Sequence, residues 1–266
     1  MSKKVFIGVG HGGSDPGAAD YIIEKDYTLK TAKAVAEYLK EYGIEYKLSR
    51  TADIDTGMNS KVKMCNDYKP DIVADVHFNA GGGTCFEVYY SIVGGTSKKL
   101  AENINAEVKK IMSSRGIKTK TGSDKNDYFA IIRETDAPAV LCEGGFVDTK
   151  SDADFIKENY KKLARAYADG IARTLGVSKP EALPVLDKTG YKKGDNTIGS
   201  YALKMLLLLA KDKKLQPYNM DVNSCYFGDG TLRAVNFMLK KWGCAQNGIA
   251  GKNFEKKLYE EIRRVK

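Results

Sequence analysis

Between Val5 and Leu175, short apolar runs alternate with longer stretches whose apolar residues recur at helical spacing, and this alternation constrains the fold most. Val5-Phe6-Ile7-Gly8-Val9, Glu45–Ser49, the run Asp71–Val76 closed by His77, Phe86–Tyr90, Tyr128–Arg133 and Ala139–Cys142 read as strands. Glu24 to about Tyr42, Ser60–Tyr68, Ser97–Arg115 and Ala153–Leu175 read as helices. In the first of these, Leu29, Ala32, Val35, Ala36 and Leu39 make one stripe, and Gly43 is a fitting stop. Strands and helices in this order predict an α/β domain with a sheet covered on both faces.

A chain of 266 residues is long for one compact domain. Residues 177–189 hold two of the six prolines and no helical pattern, which predicts a linker between a domain at 1–176 and a second at 190–266. Helical stretches at about 197–212, 231–241 and 252–264, split by Gly/Asn/Asp-rich turns, make the second domain a small all-α module. The apolar run Met205–Ala210 is too short to cross a bilayer, so no membrane insertion is expected. The N-terminal apolar run soon meets glycines, so no signal peptide is expected, and the protein is expected to be made in the cytoplasm. Five cysteines without a CxxC pair argue against a disulfide framework and against a thiolate zinc knuckle.

The net charge is +9, and residues 190–266, with 15 Lys+Arg against 7 Asp+Glu, carry +8 of it. That basicity suits nucleic acid, an anionic membrane or an anionic wall polymer, and equally a solvated surface. No nucleic-acid motif accompanies it.

Chemistry concentrates on the protein's two histidines. His11 follows the first strand in a glycine-rich loop, and His77 ends the third. Glu24 stands in the first turn of the first helix, and Glu143 follows the last apolar run. The carboxyl edge of an open α/β sheet is where such folds place their sites. Two imidazoles and a carboxylate are a common ligand set for catalytic zinc, with the fourth position left to water. A further carboxylate then takes the water's proton, and Glu143 is placed for it. The spacing matches no short zinc signature. Hydrogen-bonded core histidines, and a Glu24 that merely complements the helix dipole, therefore stay open. Cys142 beside the histidines invites a thiol-nucleophile reading, but strand alternation turns it into the core if Glu143 faces the cleft. Asp75 and Asn79 share the parity of His77 and are candidate supporting or substrate-binding residues. Arg133 is a candidate contact for a carboxylate-bearing substrate, or simply a surface arginine.

Four blocks carry a resemblance: Gly10-His11-Gly12-Gly13-Ser14-Asp15-Pro16-Gly17-Ala18, Glu24-Lys25-Asp26, Asp75-Val76-His77-Phe78-Asn79-Ala80, and Pro138-Ala139-Val140-Leu141-Cys142-Glu143-Gly144-Gly145-Phe146. In this order they resemble the zinc-dependent N-acetylmuramoyl-L-alanine amidases of the type 3 family, over roughly residues 3–176. The resemblance implies a mixed six-stranded sheet, one zinc held by His11, Glu24 and His77, and Glu143 as the catalytic carboxylate. It implies cleavage of the amide between the muramoyl lactyl group and L-alanine in peptidoglycan. The sequence departs from the family in Ala19–Ile23, which lacks glycines, and in Phe78 and Gly144. Residues 190–266 are similar, more loosely, to three-helix peptidoglycan-binding modules. With the missing signal peptide, this implies a phage endolysin acting on the wall after release, or a bacterial autolysin of the same chemistry. Its partners would be peptidoglycan and anionic wall polymers. A zinc peptidase on another substrate and an inactive wall-binding scaffold are the remaining readings, although no proposed ligand is missing.

Overall fold

The computed structural model describes residues 2–178 and 190–265. The chain divides into two compact units, Met1–Pro180 and Glu181–Lys266. Most of the expected linker, from residue 179 to 189, lies outside the described residues.

The first unit runs β1 (Lys4–Val9), α1 (Glu24–Glu41), β2 (Glu45–Leu48), α2 (Met58–Tyr68), β3 (Ile72–Asn79), β4 (Phe86–Tyr90), α3 (Gly95–Val108), β5 (Ser114–Lys118), α4 (Ala130–Arg133), β6 (Ala139–Phe146) and α5 (Lys150–Leu175). The sheet order is β2-β1-β3-β6-β4-β5. β2, β1, β3 and β6 are mutually parallel, whereas β4 pairs antiparallel with β6 and carries β5 parallel to itself. The sheet is thus mixed and mostly parallel, with helices on both faces, as expected.

Its two faces are unequal. Val5, Ile7, Val9, Ala74, Val76, Val88, Val140 and Cys142 pack with Val35 of α1, Leu100 and Ile104 of α3, and Ile156, Leu163 and Tyr167 of α5. On the other face Phe6, Val73 and Leu141 meet a smaller group that includes Cys65, Ile131 and Ile132. Each fully buried aliphatic or aromatic side chain contributes about 1.5–3 kcal/mol, so the thick face carries most of the packing energy. Strand alternation puts Asp75, His77, Glu87 and Glu143 on the thin face, where polar groups displace less of it.

Two expectations are corrected. The segment Tyr128–Arg133 is not a strand: α4 occupies Ala130–Arg133, and the neighbours Ile131 and Ile132 pack into the same cluster, whereas strand alternation would turn them to opposite faces. The helix expected to reach Arg115 ends at Val108, and Ser114–Lys118 form the edge strand β5. Its Arg115-Gly116 pair interrupts any helical stripe.

Register shifts fall beside the expected site. Between β3 and β6, His77 pairs with Glu143 but Asn79 pairs with Phe146, so Gly144 and Gly145 together oppose Phe78. A Cβ on Gly144 would lie 2.5 Å from the Phe78 ring and 2.9 Å from Leu163. Phe78 and Gly144 are thus one packing solution: the large ring occupies the space that a missing side chain leaves.

The second unit has α6 (Ile198–Asp212), α7 (Asp229–Lys241) and α8 (Lys252–Arg264). Leu203, Leu206, Leu207, Val235, Met238, Phe254 and Leu258 form its core. Thr197 caps α6 by accepting from Ser200 N, with the serine hydroxyl returned to the Thr197 N–H. Trp242 is partly buried against this core, edge-on to Phe254, and donates to Glu261 Oε1 at 2.7 Å.

Candidate active site

His11, Glu24 and His77 converge at the carboxyl edge of β1 and β3, each offering one ligand atom within 4.8 Å of the others. His11 leaves β1 with a left-handed φ of 56°, an uncommon state for a residue other than glycine, at the start of the loop before α1. Arg50, 2% exposed, holds that turn by donating to Gly10 O at 3.0 Å and Lys25 O at 2.8 Å. Glu24 opens α1 and is buried. Its Oε2 faces His11 Nε2 at 3.1 Å and accepts from Ala18 N at 3.0 Å. Its Oε1 faces His77 Nδ1 at 3.1 Å and accepts from Phe78 N at 3.0 Å. The chain around the cluster is close: a Cβ on Gly10 would lie 2.5 Å from the His77 ring, and one on Gly17 2.5 Å from Glu24 Oε2.

Each imidazole is oriented from behind. His11 Nδ1 meets Asp15 Oδ2 at 2.8 Å, and His77 Nε2 meets Asp75 Oδ2 at 3.4 Å. Asp75 is fully buried and is in turn paired with the buried Lys61 at 3.3 Å. A carboxylate behind each imidazole fixes its tautomer and raises its basicity, the arrangement that supports metal-binding histidines.

Electrostatics follow from this crowding. Burial works against the ionised form of Glu24, but the two histidines outweigh it and hold the carboxyl well below the usual range. Burial likewise disfavours the charged His77, yet Asp75 and Glu24 outweigh it and raise its pKa to about 10. His11 is raised chiefly by its hydrogen bond to Glu24. Protons therefore sit where a cation fits.

Glu143 differs. It pairs with His77 across β3 and β6, and its Oε2 is buried with no hydrogen-bond partner among the described residues. Burial pushes its carboxyl up to about 7, against the pull of His77. A half-buried carboxyl that titrates near neutrality beside a three-ligand cluster has the pKa of a proton-transfer group.

Residues 5–173 match the family described as N-acetylmuramoyl-L-alanine amidase. The chain belongs to that family. CwlM, an N-acetylmuramoyl-L-alanine amidase of Bacillus licheniformis, is 38% identical over 185 residues, which are 67% of this chain and 71% of the relative. The endolysin of Bacillus phage SPP1 is 36% identical over 191 residues, 67% of this chain and 68% of the relative. Among solved structures, Cwp6 from Clostridium difficile has a TM-score of 0.64 at 36% identity, covering 66% of this chain and 30% of that one. The catalytic domain of CwlV, an amidase from Bacillus (Paenibacillus) polymyxa var. colistinus, has a TM-score of 0.59 at 29% identity, covering 66% of this chain and 99% of that one. The family match ends at residue 173, so the second unit lies outside it.

In this amidase the four residues singled out from the sequence come together, and two others do not join them. Asn79 Nδ2 donates to Glu87 Oε1 at 2.9 Å. The Arg133 guanidinium is engaged by its own loop, through Asp127 O at 2.8 Å, Tyr128 O at 3.1 Å and Glu134 at 2.7 Å. Cys142 is fully buried in the thick-face core, where burial pushes its thiol up, so no nucleophile is presented there. The sequence reading gave no roles to Asp15, Arg50, Lys61 and Glu87. Arg50, Lys61 and Glu87 are buried charges, which reveal themselves only once their burial is known, whereas Asp15 is exposed and stands four residues after His11.

Proposed function

We propose that this amidase cleaves the amide between N-acetylmuramic acid and L-alanine in peptidoglycan, with zinc held by His11, Glu24 and His77 and Glu143 moving the proton. The observation that carries the reading is the pairing of His77 with Glu143: one belongs to the three-donor cluster, and the other, at the same level of the sheet, has a buried Oε2 with no hydrogen-bond partner among the described residues. Two imidazoles and a carboxylate fit zinc, and a bound zinc would supply Lewis-acid polarisation of the scissile carbonyl and a lowered water pKa. Glu143 in its ionised form accepts a proton from the attacking water at Oε2, then returns it to the alanine amine as that group leaves. Asp15 and Asp75 hold the two rings in one tautomer throughout. The second unit, with its surplus of positive charge, serves as an anchor to anionic wall polymers.

The likeness to a phage endolysin supports a lytic role. The likeness to bacterial amidases, a sporulation-specific one of Bacillus subtilis among them, supports a bacterial autolysin as the second reading. Metal analysis tests the site: purified protein carries about one zinc per chain, a chelator abolishes wall cleavage, and zinc restores it. Undiminished cleavage by metal-free protein contradicts the reading.

A further inference from the structure

Beside the four residues of the proposed chemistry lies a cationic pair that the chemistry does not use. Glu87 stands directly opposite Glu143 in the antiparallel ladder of β4 and β6, and is only 2% exposed. Its Oε1 accepts from Asn79 Nδ2 at 2.9 Å and Tyr89 Oη at 2.8 Å. Its Oε2 meets Lys118 Nζ and, at 3.2 Å, Arg115 Nε. One cation neutralises a carboxylate, and the two neutral donors already satisfy its other oxygen. The second positive charge is surplus.

That surplus is built into the strand. Phe86 pairs with Ser114 and Val88 with Ile117, so Arg115 and Gly116 together oppose Glu87. Such a bulge gives up part of the ladder and re-aims a side chain. Here it lets Arg115 and Lys118 reach the same carboxylate oxygen, although three positions separate them. Both cations open to solvent, with Arg115 46% and Lys118 30% exposed. Only Nε of Arg115 is engaged by an ion pair, and among the described residues its two terminal nitrogens have no hydrogen-bond partner. The guanidinium lies 5.5 Å from the Phe146 ring centroid and against Gly83, on the loop that follows β3. It therefore sits at the same edge of the sheet as His77 and Glu143.

We infer that Arg115 and Lys118 form a specificity subsite for a carboxylate on the peptide side of the scissile amide. The inference rests on the amidase reading and identifies which peptide that site prefers. Strands are about 4.8 Å apart, so β4 and β5 lie roughly 5 and 10 Å from the strand of Glu143. An extended peptide advances about 3.4 Å per residue, so the residue after the leaving L-alanine comes within reach of the pair. In peptidoglycan that residue is a glutamyl unit joined through its side-chain carboxyl, and its α-carboxyl is either free or amidated. A guanidinium fork binds a carboxylate through two parallel hydrogen bonds and loses both the charge and one acceptor against a carboxamide.

The test compares two soluble muramoyl-peptide fragments that differ only in that carboxyl, using the full chain. The wild type favours the free carboxylate by about tenfold or more in kcat/KM, the difference lying mainly in KM. Arg115→Gln brings the carboxylate fragment down to the level of the carboxamide, and Arg115→Lys keeps part of the preference. A wild type without preference, a preference that survives Arg115→Gln, or an Arg115→Gln enzyme impaired equally on both fragments would each overturn the subsite. Failure of the wild type to cut the amide in either fragment strikes the amidase reading instead.

Discussion

His77 and Glu143 are direct partners in the parallel ladder between β3 and β6, immediately before that ladder slips by one residue. The unbroken register from Val73 to His77 places one imidazole of a three-donor cluster beside a carboxyl whose Oε2 has no hydrogen-bond partner among the described residues. Ladder geometry rather than a flexible loop sets the separation between proton acceptor and metal-binding group, and rigid placement of this kind is what proton transfer requires.

Replacing Glu143 with Gln keeps the shape and removes the proton acceptor. Turnover falls by about 10²–10⁴-fold while zinc content stays at the wild-type level. The same variant reports on burial, which lifts the carboxyl from 4.5 to about 7 in the fold. A raised acid costs no stability below its unfolded value, and the cost is complete once pH passes the folded value. Metal-free Glu143→Gln is therefore more stable than metal-free wild type at about pH 8, by roughly 2–4 kcal/mol. The difference vanishes in acid. Denaturant melts at both pH values measure it.

Metal uptake is linked to protons with a definite sign. Both histidines are raised above their ordinary value, His77 to about 10 against burial by Asp75 and Glu24, and His11 chiefly through Glu24. The metal-free cluster holds protons at neutral pH that zinc must displace. Zinc affinity strengthens as pH rises from about 6 to 8, and binding releases protons. Calorimetry in buffers of different ionisation heat reads the release; an affinity independent of pH contradicts the cluster.

Phe78 and Gly144 form a coupled pair. Gly144→Ala alone drives a methyl into the ring and costs about 1–3 kcal/mol. Phe78→Ala alone leaves a cavity and costs about 3–5 kcal/mol. The double variant loses less than the sum of the two, by about 0.5–3 kcal/mol, in a denaturation cycle. Simple additivity separates the two departures.

The alternation of strands and helices, with a glutamate and a histidine at strand or helix ends, was readable because period and punctuation act locally. His11, Glu24, His77 and Glu143 each sit at such an end, and the resemblance put them in one site. The β5 edge strand was hidden because Arg115-Gly116 sits in a bulge that breaks its alternation. The turn into α4 was hidden because aromatic and β-branched residues over Tyr128–Ile132 carry a strand propensity that tertiary packing overrides. Lys61 and Glu87 declare their roles through charged partners distant in sequence, whereas Asp75 was within reach of the parity argument from His77.

The positive charge of the second unit gives a prediction sensitive to salt. The full chain sediments with purified walls, and retention declines as ionic strength rises from about 0.05 to 0.5 M. A chain ending at residue 178 binds more weakly at low salt. Equal retention of the two chains removes the anchor.

Most direct is the chemistry of the products. Purified peptidoglycan is digested with the zinc-loaded full chain, and new amino termini and new reducing sugar ends are counted together. Free L-alanine amino termini accumulate while reducing ends stay constant, if the muramoyl–alanine amide is the bond cut. New reducing ends, or amino termini belonging to any other residue, would contradict the account.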